Sequence, residues 1–395
     1  MLNIFYIGLI SFFTDISTEM VYPLIPLYLA SAFGATPALI GVIEGIAESA
    51  ASLMKAYGGY VSDKLRKRKA VAFAGYFSGV IYKLALLFAG SWGWVLFARV
   101  VDRLGKGVRV APRNALVTES ADKDRLGRAF GMHKMLDAAG AAVGILITFF
   151  FLRYSAGDFE YKRIFLISLI PAAVGLSMFG LIKEKKPAGE KQAASISLKY
   201  LLGSFRTLDG NLKLYLLVVL LFTLGNSSNA FLLLKASAVG YSDSGVVLLY
   251  FLHHASASAV SVPFGGLSDK VGRKKLLVAG YLVFAASYFG FAFAAGKGLL
   301  VGVFVLYGAY TAIITGVERA FISDIAPQEL MGTMHGLHAT IQGTALLPAS
   351  VITGALWVAF GPVVPFVYGA GLALAAALVL LAFLKPTRKG AASQP

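Results

Sequence analysis

Apolar runs of about 20 residues, separated by short polar segments, recur along the whole chain. A helix of that length crosses a bilayer core of about 30 Å. The pattern predicts an all-α membrane protein with twelve spans, at roughly 4–32, 37–62, 70–89, 92–119, 126–151, 163–182, 213–238, 244–267, 274–295, 298–324, 330–357 and 362–384. An even number of spans places both termini on the same side of the membrane.

The positions of the basic residues indicate which side this is. Four connecting loops and the C-terminal tail are rich in Lys and Arg: KLRKRK, DKDRLGR, KEKKPAGEKQAASISLKY, DKVGRKK and KPTRKG. The loops at the opposite ends of the spans are nearly free of both, except the loop with Arg153, Lys162 and Arg163. The positive-inside rule then predicts a multi-pass protein with both termini in the cytoplasm.

The longest polar stretch, residues 183–212, divides the predicted spans into two sets of six. We expect an N-terminal bundle at 1–182, a cytoplasmic linker at 183–212, and a C-terminal bundle with a short basic tail at 213–395. The ISLKYLLGSF part of the linker is compatible with an amphipathic helix at the membrane interface. The first apolar run continues as a full helix, so no cleaved signal peptide is expected.

Composition narrows the function classes. The chain is 57% hydrophobic and carries a net charge of +16, but the basic excess lies in loops, where it sets topology and needs no nucleic acid. The absence of cysteine excludes thiolate chemistry, disulfides and Cys-ligated metals. No cofactor or resident metal is expected. The expected partners are the lipid bilayer, a small molecule and protons, with the chain acting as a monomer.

The two halves repeat one another. GGYVSD, ending at Asp63, corresponds to GGLSD, ending at Asp269, at an offset of 206 residues. Five further identities or similarities keep an offset of 205: Ala115 with Ala320, Glu119 with Asp324, Gly127 with Gly332, Gly131 with Gly336 and His133 with His338. This register indicates an internal duplication in parallel orientation, because six helices per half preserve sidedness.

GGLSDKVGRKK (265–275) resembles the loop 2–3 signature of the major facilitator superfamily, and GYVSDKLRKRK (59–69) resembles a degenerate second copy with Arg66 in place of a glycine. The resemblance extends over the whole chain and implies alternating access between two halves. It also implies a gating role for the motif residues Gly59, Asp63, Lys64, Gly265, Asp269, Lys270 and Arg273. Physically, the glycines permit close helix contact and the acids can pair with nearby cations.

RVVDRLGKGVRVAPRNA (99–115) is similar to the Arg-Gly signature in the fourth helix of proton-coupled members, with Arg103 and Gly107 at the matching spacing. The fifth helix departs from the antiporter pattern. DAAGAAVG (137–144) has the glycines of that pattern without its proline, which weakens an assignment as a drug antiporter.

Many ionisable residues fall inside the predicted spans, where a charge that faces lipid costs several kcal/mol. Three pairs have i, i+4 helical spacing: Asp15 with Glu19, Glu44 with Glu48, and His133 with Asp137. The fourth span carries a mostly cationic stripe: Arg99, Asp102, Arg103, Lys106, Arg109 and Arg113. The stripe must face the interior, where first- and second-span acids can neutralise it. These groups form either a static ion-pair network or a proton-coupling site.

The C-terminal half has mainly uncharged polar groups at comparable positions. GNSSNAF (225–231) corresponds to TDISTEM in the first span and contributes Asn226 and Asn229. The tenth span adds Glu318 and Arg319, and the eleventh adds Gln342. Adjacent His253 and His254 point about 100° apart on a helix, so they are not expected to bind one metal.

Together with the family resemblance, these observations predict a proton-coupled secondary transporter of the bacterial inner membrane. The similarity of its acidic first span to that of multidrug exporters makes proton-antiport export of a small molecule the leading hypothesis. Uptake or exchange of an anionic metabolite is an alternative, since the arginine stripe could bind it. Divalent metal export is a third, through Asp15, Glu19, His133 and Asp137. A membrane enzyme is disfavoured because no signature such as H-E-x-x-H occurs, and a receptor because no segment is long enough for an output domain.

Overall fold

A computed structural model describes residues 2–65, 67–121, 126–155, 161–184, 208–326 and 330–384. These residues form fifteen α-helices and no strand: α1 (Leu2–Val21), α2 (Ile25–Phe33), α3 (Pro37–Leu65), α4 (Arg68–Leu87), α5 (Trp92–Ser120), α6 (Leu126–Tyr154), α7 (Tyr161–Ile167), α8 (Leu169–Ser177), α9 (Gly210–Gly225), α10 (Ala230–Ala238), α11 (Asp243–Val271), α12 (Arg273–Phe293), α13 (Lys297–Ile325), α14 (Met331–Phe360) and α15 (Val363–Phe383). The prediction of an all-α membrane protein is confirmed.

Ten helical segments of the described chain are long and apolar enough to cross a membrane, fewer than the twelve predicted. The two remaining predicted spans are α5 and α11, each 29 residues long. At 1.5 Å per residue each reaches about 43 Å, so length does not exclude them. Apolarity separates them from the others: α5 carries the six-residue charged stripe, and α11 carries His253, His254 and several serines.

The first and seventh spans each consist of two helices joined by a break. In the first, the 3-10 turn Tyr22–Leu24 separates α1 from α2, and Pro23 and Pro26 lie at the starts of the turn and of α2. Proline lacks the N–H that a continuous helix needs. In the seventh, residues 226–229 separate α9 from α10. Non-helical backbone at membrane depth is tolerated where it lines a cavity.

The repeat noted in the sequence is also visible as a repeated ion pair. Arg68 at the start of α4 pairs with Glu119 near the end of α5. Arg273 at the start of α12 pairs with Asp324 near the end of α13, 2.7 Å between Nη1 and Oδ1. Both partners are offset by 205 residues between the two pairs. Each half therefore joins its third and fourth predicted spans by the same bridge.

Two helix pairs carry most of the contact between the halves: α3 with α14, and α6 with α11. Glycines let α3 and α14 approach closely, because a Cβ on Gly354 would overlap the carbonyl oxygen of Pro37 and one on Gly343 would overlap Ser52. These contacts run from mid-depth to the distal end, defined here as the ends of the spans beside residues 34–36 and 239–242. The opposite side, beside residues 67 and 272, is the basic end.

A hydrogen bond also joins the halves at the distal end. The Tyr161 hydroxyl, at the start of α7, donates to Oδ2 of Asp243, at the start of α11, over 2.6 Å. Tyr161 also lies 3.4 Å from the Ser31 hydroxyl of α2. The two halves are therefore in contact at the distal end through side chains as well as through packed helices.

The linker prediction is tested only at its two ends, because residues 185–207, which include the amphipathic ISLKYLLGSF segment, lie outside the described residues. At its C-terminal end α9 already begins at Gly210, inside the predicted linker. Lys183 exchanges two hydrogen bonds with Asn3: its N–H donates to Oδ1 over 3.0 Å, and its carbonyl accepts from Nδ2 over 3.1 Å. Oε1 of Glu184 accepts from the backbone N–H of Arg68 over 2.5 Å. The division into two bundles stays a prediction.

The glycines of DAAGAAVG form the contact between α6 and α1. A Cβ on Gly140 would overlap the carbonyl oxygen of Phe12, and one on Gly144 would overlap that of Ile16. Helix backbones in membranes pack this closely where small residues occupy the interface. The glycines of this motif therefore have a structural role that does not require the missing proline.

We predict that Gly140→Val lowers the stability of the folded protein by about 1–3 kcal/mol, because the added side chain forces α1 and α6 apart. Thermal unfolding of the detergent-purified protein measures this change. Gly302→Val in α13 is the matched control, since nothing lies within 4 Å of a Cβ at Gly302. Equal losses in the two variants would show that the α1–α6 contact is not close-packed.

Candidate functional site

A central cavity of about 400 Å³ lies between the two halves of the chain. Side chains from α1, α3 and α5 line one side, and side chains from the α9–α10 break, α11 and α13 line the other. The lining residues are Glu19, Tyr22, Glu48, Arg103, Lys106, Asn226, Ser227, Ser228, Asn229, Tyr250, His253, His254, Tyr307, Tyr310, Thr311, Ile314, Thr315 and Leu346. Every charged residue in this set except the histidines belongs to the N-terminal half.

The charged wall contains one paired and one unpaired cation. Nε of Arg103 lies 3.1 Å from Oε1 of Glu48, and the Arg103 guanidinium lies over the ring of Tyr22 at 5.3 Å. Lys106, one turn further along α5, is exposed to the cavity. None of the ion pairs or hydrogen bonds among the described residues involves Lys106. Its ammonium group is therefore available to an anion in the cavity.

Behind this wall lies a fully buried ion pair between α3 and α5. Nε and Nη2 of Arg99 donate to the two carboxylate oxygens of Glu44 over 2.8 and 2.6 Å, and both side chains are 1% exposed. Asp102 lies 3.7 Å from the same guanidinium. The pair also reaches the other half, because the Ser228 hydroxyl donates to Oε2 of Glu44 over 3.3 Å. The stripe of α5 thus faces inward and is largely neutralised.

The uncharged wall is built on the break between α9 and α10. Nδ2 of Asn226 donates to the Tyr310 hydroxyl over 2.9 Å, and the Tyr307 hydroxyl donates to Oδ1 of Asn229 over 3.0 Å. These bonds fix both amides of the break against α13. All four residues of the break, 226–229, line the cavity, where they can bind polar groups of a solute.

Aromatic rings continue this wall along α11. The ring centroid of His254 lies 4.6 Å from that of Tyr250, and His253 lies 5.0 Å from Tyr307. Nε2 of His254 is buried and has no hydrogen-bond partner. Both histidines thus line the cavity rather than the lipid face, and the cavity offers stacking surfaces for a planar group.

The first-span acids lie at different depths. Glu19 lines the cavity, and its Oε2 is buried without a hydrogen-bond partner. Asp15 lies one turn toward the basic end and outside the cavity lining. Its electrostatic neighbours are Asp137, Arg109, Lys106 and Glu19. The two acids are thus placed next to the stripe, and Lys106 is an electrostatic neighbour of both.

The pair His133 and Asp137 on α6 forms a cluster with α5. Nδ1 of His133 lies 3.8 Å from Asp137, and Nη1 of Arg113 lies 4.0 Å from the other oxygen of that carboxylate. The Ser11 hydroxyl of α1 lies 2.9 Å from Nε2 of His133. This cluster lies toward the basic end and does not line the central cavity.

The C-terminal half has an acid–histidine cluster of its own. Nε2 of Gln342 donates to Oε2 of Glu318 over 3.2 Å, and Nε2 of His338 lies 3.6 Å from the same oxygen. His338 was absent from the predicted site residues. A signal for it was present, since its repeat partner His133 was included.

The gating residues are described in part. A Cβ on Gly59 would lie 3.3 Å from Cβ of Ala111, which shows a close approach between α3 and α5. Lys64 and Lys270 are exposed, and Arg273 donates both to Asp324 and to the carbonyl of Ala320. The other predicted side chains lie outside the described set: Asp63, Gly265, Asp269 and Arg319. The latch between the acids and the basic loop stays a prediction.

The metal hypothesis receives no geometric support in the described part of the chain. Among these residues no group of three or more His, Asp or Glu side chains is arranged to hold a metal ion. The four proposed ligands lie on two helices: Asp15 and Glu19 on α1, and His133 and Asp137 on α6. His133 contacts the Ser11 hydroxyl, and Asp137 contacts Arg113. They do not converge on one point.

Comparison with known proteins gives a family. The family model described as Major Facilitator Superfamily matches residues 7–344 and 215–395. An uncharacterized MFS-type transporter of Methanocaldococcus jannaschii is 35% identical over 387 residues, which is 96% of this chain and 94% of that protein. Multidrug resistance protein MdtH of Photorhabdus laumondii is 22% identical over 348 residues, 86% of this chain and 82% of that protein.

Solved structures show the same fold. The nucleoside transporter NupG superimposes with a TM-score of 0.80 at 14% identity, covering 97% of this chain and 99% of that one. A POT family transporter in complex with 5-aminolevulinic acid gives 0.78 at 13% identity, covering 96% and 95%. At these identities the similarity shows the fold and does not identify the solute.

We predict that Arg99→Leu destabilises the protein by about 3–5 kcal/mol, because it leaves the Glu44 carboxylate buried without a cation. The double variant Arg99→Leu/Glu44→Leu removes both charges and is expected to recover most of this loss. A double-mutant cycle on thermal unfolding midpoints measures the difference. If the double variant is as unstable as the sum of both single variants, the pair is not the origin of the effect.

Proposed function

The chain belongs to the major facilitator superfamily, and on this premise we propose that it exports a small molecule across the cytoplasmic membrane by proton antiport. Membership establishes a multi-pass transporter and argues against an enzyme. Alternating access supplies the mechanism, with the solute held in the central cavity while the halves rock around it. The proposal extends to twelve spans and cytoplasmic termini, with α5 and α11 as the two spans whose polar residues face inward.

The cavity is the observation that carries the proposal. It lies between the two halves, has a charged wall on one side and an amide and aromatic wall on the other, and contains two charged groups without full partners. A static network would leave neither Lys106 nor Oε2 of Glu19 without a partner, because each unpaired group at membrane depth is costly. Such groups are explained if a solute or a proton binds them during transport.

Proton coupling is the economical energy source, because the sequence has no nucleotide-binding loop of the Walker type. Asp15 and Glu19 are carboxylates next to a cationic stripe and can take up or release a proton as their surroundings change. Protonation would weaken their attraction to Lys106 and Arg109, and so favour one conformation over the other. This differential interaction is what a coupling mechanism requires.

Export is favoured over uptake by one relative, since a protein named multidrug resistance protein MdtH is similar over most of the chain. The alternative, uptake or exchange of an anionic metabolite, is supported by the free ammonium of Lys106. The arginines supply less support, because Arg99, Arg103 and Arg113 all lie against carboxylates. The similarity in fold to the nucleoside transporter NupG does not distinguish export from uptake.

A pH-dye assay in proteoliposomes tests the function. Cationic drugs, organic anions, zwitterionic amino compounds and divalent metals are added in turn, and we expect at least one to move protons across the membrane. If no compound moves protons and an imposed proton gradient drives no solute flux, proton coupling is wrong.

In the same assay Asp15→Asn and Glu19→Gln are expected to abolish or flatten the pH dependence of transport. Normal rates with an unchanged pH profile in both variants would remove the coupling role from this pair.

We predict that Lys106→Gln raises the KM for an anionic or zwitterionic solute by about 10- to 100-fold, since a hydrogen bond to a charged group contributes about 1.5–3 kcal/mol. Initial transport rates at varied solute concentration measure KM and kcat separately. Lys297→Gln is the control, because Lys297 lies at the distal end over the ring of Tyr241. An unchanged KM in Lys106→Gln would show that the solute does not use this ammonium.

A further inference from the structure

Three positions in each half form equivalent clusters, related by the offset of 205 residues. In the N-terminal half they lie on α5 and α6, and in the C-terminal half on α13 and α14. The equivalent pairs are Arg113 with Glu318, His133 with His338, and Asp137 with Gln342. The histidine is kept, while the carboxylate has moved from one helix to the other and the arginine has been lost.

The N-terminal cluster is electrically neutral without a titratable proton. Arg113 lies 4.0 Å from Asp137 and supplies a permanent positive charge to that carboxylate. His133, 3.8 Å from Asp137, can remain uncharged because its Nε2 shares a hydrogen bond with the Ser11 hydroxyl. The Tyr76 hydroxyl lies 2.9 Å from Ser11 and completes this polar chain. The Asp137 carboxylate therefore has a fixed cationic partner, although Asp15 on α1 is also among its electrostatic neighbours.

The C-terminal cluster lacks that balance. Glu318 takes the position of the arginine and is 6% exposed, and Gln342 takes the position of the acid. The Glu318 carboxylate has His338 at 3.6 Å and accepts from Gln342 at 3.2 Å. Oε1 of Glu318 and Nε2 of His338 are both buried without a hydrogen-bond partner. Within the described side chains, no lysine or arginine forms an ion pair with Glu318.

The other groups that face Glu318 are tyrosines. Tyr215 on α9, Tyr281 on α12 and Tyr310 on α13 are its electrostatic neighbours. The ring of Tyr215 also stacks on His338, with centroids 6.2 Å apart. The hydroxyls of Tyr215 and Tyr281 are buried without partners. His335 lies about one turn before His338 on α14, and the Arg319 side chain lies outside the described set. The surroundings thus add neutral hydroxyl groups around the acid.

Charge counting then gives the number of protons this cluster must hold. With no proton on either group the pair has a charge of −1, and with a proton on both it has +1. With one proton it is neutral, whether the proton is on Glu318 or on His338. Since an uncompensated charge at membrane depth costs several kcal/mol, the buried cluster is expected to hold one proton. The N-terminal cluster is stable with none.

We propose that Glu318 and His338 form a proton-binding site of the C-terminal half, created when the repeat exchanged a fixed Arg–Asp bridge for an acid–histidine pair. The site lies one turn from the central cavity, because Thr315 on α13 and Leu346 on α14 line that cavity and each is one turn from a cluster residue. Water that enters the cavity when the halves separate can take the proton. This inference rests on the proposed transport function, but proton binding is measurable without a solute.

The test is a pH-jump experiment on the full chain in proteoliposomes attached to a solid-supported membrane, without any solute. Jumps between about pH 5 and 8 are expected to give a charge-displacement transient. Glu318→Gln is expected to reduce the transient at least about twofold, because the pair can no longer exchange its proton. Asp137→Asn, the matched change at the equivalent position, is expected to reduce it less, because Arg113 already balances Asp137.

A second variant distinguishes loss of the proton-binding site from misfolding of Glu318→Gln. The double variant Glu318→Arg/Gln342→Asp rebuilds the N-terminal arrangement in the C-terminal half. It is expected to keep the wild-type elution profile and melting behaviour but to lose the same transient. A normal transient in this double variant or in a folded Glu318→Gln overturns the proposal, as does a larger loss in Asp137→Asn. If the wild type shows no solute-driven proton flux but the variants still lose the transient, the coupled function is rejected and the proton-binding site is retained.

Discussion

The arrangement of this protein depends on the cost of placing charge inside a bilayer. The stripe of α5, the fourth predicted span, consists of five cations and one acid, and no lipid-facing position could hold them. The Arg99–Glu44 pair shows how the cost is met, since the guanidinium makes two hydrogen bonds to one carboxylate and both groups are excluded from water. Because those partners belong to α3, the charge requirement also fixes which helices pack together. The cavity lies beside Lys106 and Glu19, the two charged groups of its lining that lack full partners.

The sequence predicted the helices well, because length and apolarity act locally and along one dimension. It also indicated the inward orientation of the stripe, since helical spacing places Arg99 and Arg103 on one face. It did not give the partner of each charge. Glu44 and Glu48 are equivalent candidates by spacing, and the relative rotation and translation of α3 and α5 decide that Arg99 takes the first and Arg103 the second.

The uncharged wall was predicted less completely. Asn226 and Asn229 were found because polar residues interrupt an apolar span. Tyr307 and Tyr310 gave no such signal, because a tyrosine in an apolar helix is equally compatible with the core, the interface and a cavity. Helical spacing separates the directions of His253 and His254, but it does not show that both line the cavity or that Nε2 of His254 has no hydrogen-bond partner. Which side of a helix faces a cavity is set by tertiary packing.

The close packing of α1 against α6 has a mechanical consequence. With the backbone of Phe12 in contact with Gly140 and that of Ile16 in contact with Gly144, the two helices behave as one rigid body. In the proposed rocking of the two halves, the separation of Asp15 and Asp137 would therefore stay constant, and their interaction could not by itself depend on which side is open. The bond from Ser228 to Glu44 and that from Tyr161 to Asp243 cross between the halves, so the same motion would stretch or break them. These two bonds, unlike the contact between the acids of α1 and α6, would therefore differ in energy between the two conformations.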